Sequence, residues 1–358
     1  MHPPIGLDIS DLSAKMIQLD KRCGRHVVRS FGSAAIPPGS IDDGEIRDPD
    51  AVVRSVKTAM EKAGPKKPNT KRVTCSIPES KAFLRIISIP RMSEEEVKEA
   101  IVWELEENIP LSIDQVYYDY QILEKAFTSK ERNSDKQDVL VVAVARNVVD
   151  TLVSVLERCN LEVIGMEIES VAQARCLLPD QSTKQYSLLI LDIGDRRTSL
   201  LFSVDGAIAF TSSTHLSSQM LTDALAKHFN VSSEKAEKMK FEQGIGSPVA
   251  EDPFFRASEP VLENLYAQIR HSMDFVIDTL GYSDHLDMIL LCGGGANTKG
   301  LPLYLSRRAG IPVAMGDPWI NVSFSKKLPP MGKEVAIQYS TAIGLALQSM
   351  YFAYEDLS

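Results

Sequence analysis

Carboxylates and a lysine stand at the ends of two short apolar segments that lie far apart in the chain. Asp8 ends the run IGLD and precedes a polar turn and Lys15, and Asp192 ends the run LLILD. Carboxylates hold the hydrated Mg²⁺ ion in phosphate sites, and a cation meets the outer phosphates. These residue types predict a metal–phosphate site, provided that the fold brings the two segments together.

Small residues follow these carboxylates and a third apolar segment, MILLC. Tight turns of small residues present backbone N–H groups to phosphates, and bare glycine backbone accepts a purine at close range. The residues that meet this description are Ser10, Gly194, Thr198, Gly293, Gly294 and Gly295.

The glycine run GGGANTKGLP matches two commoner motifs only in part, and it has a purely structural interpretation. Its spacing from Gly295 to Gly300 is that of a P-loop, but Leu301-Pro302 replaces the Lys-Ser/Thr pair. The dinucleotide-binding pattern is incomplete because position 298 is Thr. The run is equally typical of a crowded turn between a strand and a helix, so both roles stay open.

A repeat along the chain connects the two carboxylate segments. LDIS at 7–10 and LDIG at 191–194 each end a first strand, and a turn then leads into a second strand. This layout predicts two similar βββα-type halves that arose by duplication. Two facing hairpins with one carboxylate each would place the metal–phosphate site in the cleft between the halves.

A block over about 79–162 reads as an inserted α+β unit. Ser93 and Glu96 form a capping box at the start of a predicted helix, EEVKEAIVWELEENI. The buried face of this helix repeats every four residues, at Val97, Ile101, Leu105 and Ile109. Strands are predicted at FLRIISIP, YYDYQIL and DVLVVAVA, a loop at KAFTSKERNSDKQ, and a closing helix at VVDTLVSVLERCN.

Composition bounds the classes of function. The 358-residue chain has a formal net charge of −9, which disfavours nucleic acid as a partner because phosphate binding needs a basic face. Its 5 cysteines have no CxxC spacing, which fits a reducing compartment. The sequence shows neither an export signal nor an apolar run long enough for a membrane span, so we expect a cytoplasmic protein.

The two hairpins, the turn GGGANTKGL and the two-half layout resemble the actin, sugar-kinase and Hsp70 ATPase superfamily. Within it, IPPGSIDDGEI, IPRMSEEEVKEAIVWELEENIPLSIDQVYYDYQIL and AEKMKFEQGI resemble the PilM family of type IV pilus assembly proteins, which is related to the cell-division protein FtsA. The resemblance implies an α/β fold of the actin-like, duplicated RNase H-like ATPase type, with two domains around a nucleotide cleft. It implies subdomain 1A over 1–78, 163–185 and 338–358, an inserted FtsA-type subdomain 1C over 79–162, and a nucleotide-binding second domain (2A/2B) over 186–337.

The resemblance also implies that ATP or ADP binds with Mg²⁺. Asp8 and Asp192 would hold the metal. Lys15 would meet the outer phosphates. The turns that contain Ser10, Gly194 and Thr198 would bind the phosphates through their backbone.

Further roles follow from the same resemblance. Glu237 and Lys240 would lie toward the ribose and base. The base and α-phosphate would lie against Gly293, Gly294 and Gly295. Glu167 and Glu169 would position the attacking water, although favourable negative charge at a helix N-terminus explains them equally well.

The first hairpin departs from the superfamily's pattern, which has glycine and then serine after the apolar residue. Ser10 and Asp11 take these places, and a carboxylate that faces the β-phosphate would weaken nucleotide binding. Arg196 and Arg197 in the second hairpin would either compensate or lie in solvent, and we favour solvent. We therefore expect at most a slow ATPase.

The leading hypothesis is a nucleotide-binding scaffold at the inner face of the inner membrane, among other pilus assembly proteins. It would dock the N-terminal cytoplasmic peptide of a PilN-like bitopic protein in a groove between 1A and 1C, and meet the membrane only through that partner. The alternatives are a small-molecule phosphotransferase of the same superfamily and a nucleotide-free pseudo-ATPase. FtsA itself and the L protein of type II secretion are disfavoured, because the sequence ends in acidic YFAYEDLS and shows no membrane span.

Overall fold

The computed structural model describes residues 2–22, 24–123, 135–179, 186–204, 207–247, 249, 251–279, 285–323 and 331–355. The strands are β1 (Ile5–Ser10), β2 (Ser13–Arg22), β3 (Arg25–Ala35), β4 (Ile41–Asp42), β5 (Glu45–Ile46), β6 (Gly64–Pro65), β7 (Arg72–Ile77), β8 (Ala82–Pro90), β9 (Val116–Ile122), β10 (Lys136–Ala145), β11 (Glu162–Ile168), β12 (Leu188–Ile193), β13 (Thr198–Val204), β14 (Ala207–Thr214), β15 (Met288–Cys292) and β16 (Val313–Met315). The helices are α1 (Pro49–Lys62), α2 (Glu94–Asn108), α3 (Arg146–Arg158), α4 (Glu169–Leu177), α5 (Ser218–Phe229), α6 (Ser233–Gln243), α7 (Pro253–Asp274), α8 (Leu301–Ala309), α9 (Lys333–Ala336) and α10 (Ser340–Glu355).

The first sheet combines an antiparallel meander with two parallel strands. Its order is β11-β7-β1-β2-β3-β6, with β1, β2 and β3 antiparallel in succession and β7 and β11 parallel to β1. Helix α1 packs on one face, and α4 and α10 pack on the other, so the central strand β1 is buried on both faces. A strand of this kind needs a continuous apolar run, and IGLDI meets that need.

The second sheet repeats this strand order. In β14-β13-β12-β15-β16, the strand β12 takes the place of β1, with β13 and β14 antiparallel in succession and β15 and β16 parallel to it. Its sequence LLILDI is again a continuous apolar run, and side chains from α5, α7 and α8 share its core. The prediction of an actin-like fold with two duplicated halves is confirmed.

Helix α10 lies against the first sheet and requires glycine at two close contacts. A Cβ on Gly6 of β1 would lie 2.1 Å from the carbonyl oxygen of Ala342, and a Cβ on Gly344 would lie 1.8 Å from that of Ala172 in α4. Any larger side chain at either point would push α10 away from β1 or α4. The core around α10 contains apolar side chains from both sheets, so this helix joins the two halves.

Between β7 and α3 the chain forms a separate small unit, which we call the inserted module (82–145). Its sheet has the order β8-β10-β9, and α2 packs on one face. The predicted capping box is confirmed, because Ser93 N donates to Glu96 Oε2 at 2.8 Å and Glu96 N donates to Ser93 Oγ at 3.4 Å. The predicted buried face is confirmed at Val97, Ile101 and Leu105. Ile109 is half-buried, and most of the predicted loop KAFTSKERNSDKQ lies outside the described residues.

Helix α3 falls within the predicted block 79–162, but its apolar face packs outside the inserted module. Leu152, Val155 and Leu156 lie in the core of the first sheet, which they share with side chains of α1. The small sheet and α2 form a core of their own without α3. Helix α3 is therefore the element that connects the module to the first sheet.

Candidate functional site

The two halves face each other across a cleft of about 390 Å³. The turn between β1 and β2 contributes to one wall, and the turn between β12 and β13 contributes to the other. Eight of the 13 predicted site residues line this cleft, and they are Asp8, Ser10, Lys15, Glu169, Asp192, Gly194, Gly293 and Gly294. The fold thus brings both carboxylate segments and the glycine run to one place.

Asp8 lines the cleft from β1, opposite Lys15 in the β1–β2 ladder. Ser76 donates its hydroxyl hydrogen to Asp8 Oδ1 at 3.2 Å, and Lys15 Nζ lies 3.9 Å from Asp8 Oδ2. Lys15 Nζ also donates to Ser13 Oγ at 2.6 Å, which holds the lysine over the cleft. Burial raises the pKa of Asp8 above its ordinary value, and the positive charge of Lys15 opposes that rise.

Asp192 occupies the corresponding place on β12. Gln173 of α4 donates through Nε2 to Asp192 Oδ2 at 2.5 Å and to Thr341 Oγ1 at 3.0 Å. Burial raises the pKa of Asp192 to about 6; the hydrogen bond from Gln173 lowers it, and the negative charge of Asp8 raises it. The two carboxyl groups are therefore close enough to repel each other.

This pair of carboxyl groups fits a hydrated divalent cation. A cation near both groups would relieve their repulsion, and Mg²⁺ is commonly held by one or two carboxylates, with water and phosphate as its other ligands. In the described part of the chain, no three Asp, Glu, His or Cys side chains group into a metal-binding cluster. Two carboxylates would leave the other coordination positions of such a cation to water and phosphate.

The glycine run is closely packed at two positions and accessible from the cleft at one. A Cβ on Gly293 would lie 2.0 Å from Asp192 Oδ1, and a Cβ on Gly295 would lie 2.6 Å from Ile193 Cγ2. These two glycines are required by close packing, and Gly295 does not line the cleft. Gly294 does line it, and a Cβ there would have its nearest neighbour, Gln338 Cδ, at 3.9 Å. Bare backbone at Gly294 is therefore available to a ligand.

Lys240 and Glu237 of α6 lie outside the cleft lining. The side chain of Lys240 is buried and donates through Nζ to Ser218 Oγ at 2.7 Å and to Thr222 Oγ1 at 2.8 Å. These bonds tie α6 to α5, and burial lowers the pKa of Lys240. Glu237 is exposed. Their contacts with ribose and base stay predictions.

Three further predicted residues differ in their surroundings. Glu167 binds the guanidinium of Arg175 with both oxygens and does not line the cleft. Thr198 is buried at the start of β13, also outside the lining. Glu169, at the start of α4, lines the cleft and accepts a hydrogen bond from Glu79 N at 3.2 Å. Burial, and then the charge of Asp8, raises the pKa of Glu169 well above its usual range.

Asp11 of the first hairpin and Arg197 of the second are both held by contacts with the β4–β5 turn. Asp11 Oδ1 accepts a hydrogen bond from Gly44 N at 3.0 Å, and burial raises the pKa of Asp11. Arg197 reaches from the second hairpin to pair with Asp43 in the β4–β5 turn. Arg197 therefore lines the cleft and does not extend into solvent as expected. Arg196 also lines the cleft, but its side chain is exposed.

Sequence reasoning missed several cleft residues. Gln173 lies four residues after Glu169 on α4, so helical spacing could have placed both side chains on one face. Glu79 is buried with its Oε2 unpaired among the described residues, and it follows β7 immediately after the turn residue Pro78. Gln338 and Thr341 precede and begin α10, and nothing local in the sequence points to a cleft there.

A second concave surface, the α3–β11 groove, has a volume of about 530 Å³. Strand β11 is an outer strand of the first sheet, and no described strand pairs with its free edge. Apolar side chains line the groove, namely Val149, Val153, Leu161, Val163 and Met166. Glu157 and Glu162 also line it and are exposed. The inserted module borders α3, where Tyr117 Oη donates to Asp150 Oδ1 at 3.1 Å.

No helix within the described residues is both long and apolar enough to cross a membrane.

Curated relatives of this chain are cell-division proteins. FtsA of Staphylococcus epidermidis is 25% identical over 113 residues, which are 32% of this chain and 24% of that protein. FtsA of Pseudomonas aeruginosa is 23% identical over 238 residues, which are 62% of this chain and 55% of that protein. The chain therefore spans from about a quarter to about half the length of these relatives.

Solved structures share the fold over nearly the whole chain. A structure described as a PilM-PilN type IV pilus biogenesis complex has a TM-score of 0.80 at 24% identity, covering 97% of this chain and 98% of that one. The ethanolamine utilization protein EutJ of Carboxydothermus hydrogenoformans has a TM-score of 0.57 at 17% identity, with 97% and 90% coverage. MreB5 of Spiroplasma citri bound to ADP has a TM-score of 0.55 at 14% identity, with 100% and 99% coverage. These likenesses show the actin-like fold.

The family assignment comes from a match of a different kind. The model of the family described as type IV pilus assembly protein PilM matches residues 6–350. That span includes both sheets, the inserted module and both hairpins of the cleft. The chain belongs to the PilM family of type IV pilus assembly proteins.

Proposed function

We propose that this chain is a cytoplasmic scaffold of type IV pilus assembly that binds Mg·ATP or Mg·ADP and docks the tail of a PilN-like membrane protein. The observation that carries the proposal is the pair of equivalent hairpins, which bring Asp8 and Asp192 to one cleft. Family membership, the ADP bound to the similar fold of MreB5, and the PilM-PilN complex support it.

Mg²⁺ would be held by Asp8 and Asp192 and would neutralise charge on the phosphates that it binds. Lys15 is placed to meet the outer phosphates, since Ser13 and Asp8 already orient its ammonium group at the cleft. Gly294 offers unobstructed backbone to the nucleoside side of the ligand. Each of these residues acts by binding or orienting the nucleotide.

Hydrolysis of the bound nucleotide is proposed to be slow. A general base must be ionised, but the buried Glu169 carboxyl has a raised pKa that favours its neutral form. Glu167 is already paired with Arg175 and lies outside the cleft lining. The cleft thus supports nucleotide binding better than it supports activation of water.

Calorimetry with Mg·ATP and Mg·ADP tests nucleotide binding. The variant Asp192→Asn should lose at least about tenfold in affinity for both, because one charged metal ligand is removed. The matched control is Asp114→Asn, which removes an exposed carboxylate of the inserted module, outside the cleft lining, and should bind like the parent chain. A parent chain that binds neither nucleotide up to millimolar concentration would instead be a nucleotide-free scaffold.

The partner would dock in the α3–β11 groove. A peptide in extended conformation can pair its backbone with the free edge of β11 and place alternate side chains in an apolar groove. Cytoplasmic tails beside a membrane span carry an excess of Lys and Arg, and Glu157 and Glu162 at the groove complement that charge. The inserted module, proposed as the 1C-type docking subdomain, contacts the same helix through Tyr117.

Binding of a synthetic peptide with the PilN-like protein's N-terminal sequence tests this site. Val153→Glu should abolish binding because it places a charge in the apolar groove. Ser154→Glu on the same helix is exposed and outside the groove, so it should bind normally. Equal affinity of the two variants would place the docking site elsewhere.

A deletion test of the module must end before α3, because α3 belongs to the core of the first sheet.

A further inference from the structure

The β4–β5 turn at Asp43 joins three parts of the molecule. Asp43 Oδ1 pairs with Arg197 of the second hairpin, and Asp43 Oδ2 lies 3.4 Å from Lys81 Nζ. Ser80 donates its hydroxyl hydrogen to the Asp43 carbonyl oxygen at 3.1 Å. Ser80 and Lys81 directly precede β8, so they form the root of the inserted module. One aspartate therefore contacts both the nucleotide cleft and the module.

The backbone of this turn is held in an unusual conformation. Asp43 has a φ of 51°, in the left-handed region that few non-glycine residues adopt, and Gly44 follows with a φ of 77°. A Cβ on Gly44 would lie 2.6 Å from Pro78 Cβ. Gly44 N also donates to Asp11 of the first hairpin. The turn keeps this conformation through its contacts with the two hairpins and the module root.

Arg197 is the contact that a ligand can compete for. Its guanidinium donates through Nε to Ser213 Oγ at 2.8 Å, and its Nη1 lies 3.0 Å from His215 Nδ1. The same side chain lines the cleft, where phosphates would present a second anion. Guanidinium groups bind phosphate oxygens through two parallel hydrogen bonds, so a terminal phosphate is a strong rival to one carboxylate.

We propose that Arg197 senses the terminal phosphate of a nucleoside triphosphate and reports it to the inserted module through Asp43. In the empty or diphosphate-bound cleft, Arg197 stays paired with Asp43. With a triphosphate bound, Arg197 moves to the terminal phosphate, and Asp43 is left beside Asp11 with less positive charge to balance these two carboxylates. Their repulsion loosens the turn and its hold on Ser80 and Lys81. This inference rests on the nucleotide binding proposed above.

The first test is the ratio of Mg·ATP to Mg·ADP affinity by calorimetry. Arg197→Ala should weaken Mg·ATP by about tenfold and leave Mg·ADP nearly unchanged, because only the triphosphate reaches this side chain. Asp43→Asn should strengthen Mg·ATP by about threefold or more, because Arg197 is released, and Asn tolerates the left-handed backbone.

Two controls on the same hairpin match these variants. Asp42→Asn removes the same charge one residue away, and Arg47→Ala removes an arginine that pairs with Glu45. Both should keep the parent ratio of affinities. If Arg197→Ala weakens Mg·ATP and Mg·ADP equally, or if Asp43→Asn behaves like Asp42→Asn, the sensor is overturned while nucleotide binding stands. If the parent chain binds neither nucleotide, both proposals fall.

Hydrogen exchange tests the relay to the module. In the parent chain, Mg·ATP should speed amide exchange over 79–84 relative to Mg·ADP. In Arg197→Ala, saturated with each nucleotide, the difference should vanish. Retention of the full difference in this variant would show that the module root responds to nucleotide without Arg197, and would overturn the relay.

Discussion

The two hairpins of the cleft share one framework and differ at their tips. Asp192 lies 184 residues after Asp8, and this offset aligns both ladders, since Asp8 pairs with Lys15 and Asp192 pairs with Ser199. Both hairpins also read Asp-Ile-x-Asp, with the second carboxylate at Asp11 or Asp195. Backbone geometry and the first carboxylate are therefore common to the two halves.

The two tips carry their positive charges at different positions. In the first hairpin the cation is Lys15 on the strand, and Ser13 stands where the second hairpin has Arg197. The second hairpin has Ser199 at the strand position and carries its cations on the turn. The two halves thus share the framework that carries the first carboxylate, while each tip has its cation at a different position. The two walls of the cleft therefore differ in charge although their strands follow the same order.

The strands beneath the two hairpins differ as well. Gly6 lies two residues before Asp8, and the corresponding residue in the second half is Ile190, both fully enclosed. Glycine is required in the first half because α10 crosses β1 there with its backbone close to the strand. At the corresponding point of β12, an isoleucine side chain lies in the core that also contains side chains of α10.

The largest expected effect tests the difference between Gly6 and Ile190. Gly6→Ala places a Cβ 2.1 Å from the Ala342 carbonyl oxygen, so α10 must shift, and we expect the free energy of unfolding to fall by about 3 kcal/mol. Urea denaturation measures it. Gly332→Ala is the control, because a Cβ there meets no atom within 4 Å. A similar stability for both variants would mean that α10 does not depend on close approach to β1.

The next largest effect is a pH dependence of stability that involves Asp192 of the second hairpin. Burial raises the pKa of Asp192 to about 6 from the ordinary 3.8, so the folded protein holds a proton that the unfolded chain releases. Its contribution to stability is full below about pH 4 and is lost as the pH rises through about 6. In EDTA without nucleotide, Asp192→Asn should therefore gain up to about 2 kcal/mol over the parent between about pH 4 and pH 8.

Denaturant midpoints at several pH values check this prediction. The control is Asp114→Asn, which changes an exposed carboxylate of the inserted module and should leave the parent's pH profile intact. Mg²⁺ with nucleotide should remove most of the difference, because a cation stabilises the ionised form of Asp192. Parallel profiles for the parent and Asp192→Asn would contradict the burial of this carboxyl.

Most elements could be predicted from the sequence because their signals are local. The capping box and four-residue period place α2 within one residue of Glu94–Asn108. A helix start near Glu167 and Glu169 was considered, but the extent of α4 was not predicted, because the helix is short and buried over most of its surface and so lacks an amphipathic period. The β4–β5 hairpin has no strand pattern in the sequence, because each strand has only 2 residues.

Cleft residues could be predicted where polar side chains follow apolar strand segments. They could not be predicted where their position depends on contacts with residues far away in the sequence. Asp8 and Asp192 follow from their strands. The pairing of Arg197 with Asp43 joins residues from different halves, and no local pattern encodes it. The position of the Lys240 side chain also depends on distant residues. The hydroxyls of Ser218 and Thr222, four residues apart on α5, hold it outside the cleft lining.

The smallest expected effect sharpens the comparison of the two tips. Asp11→Asn removes a negative charge near the phosphates but keeps the oxygen that accepts from Gly44 N, so the β4–β5 turn stays in place. Mg·ATP affinity should rise by about 1 kcal/mol, or roughly fivefold, and calorimetry measures it. Asp195→Asn is the matched control from the other hairpin, and its exposed carboxylate should contribute much less to the affinity. If both asparagine variants raise the affinity equally, the two tips repel phosphate alike, and burial of Asp11 beside Gly44 does not distinguish the first hairpin from the second.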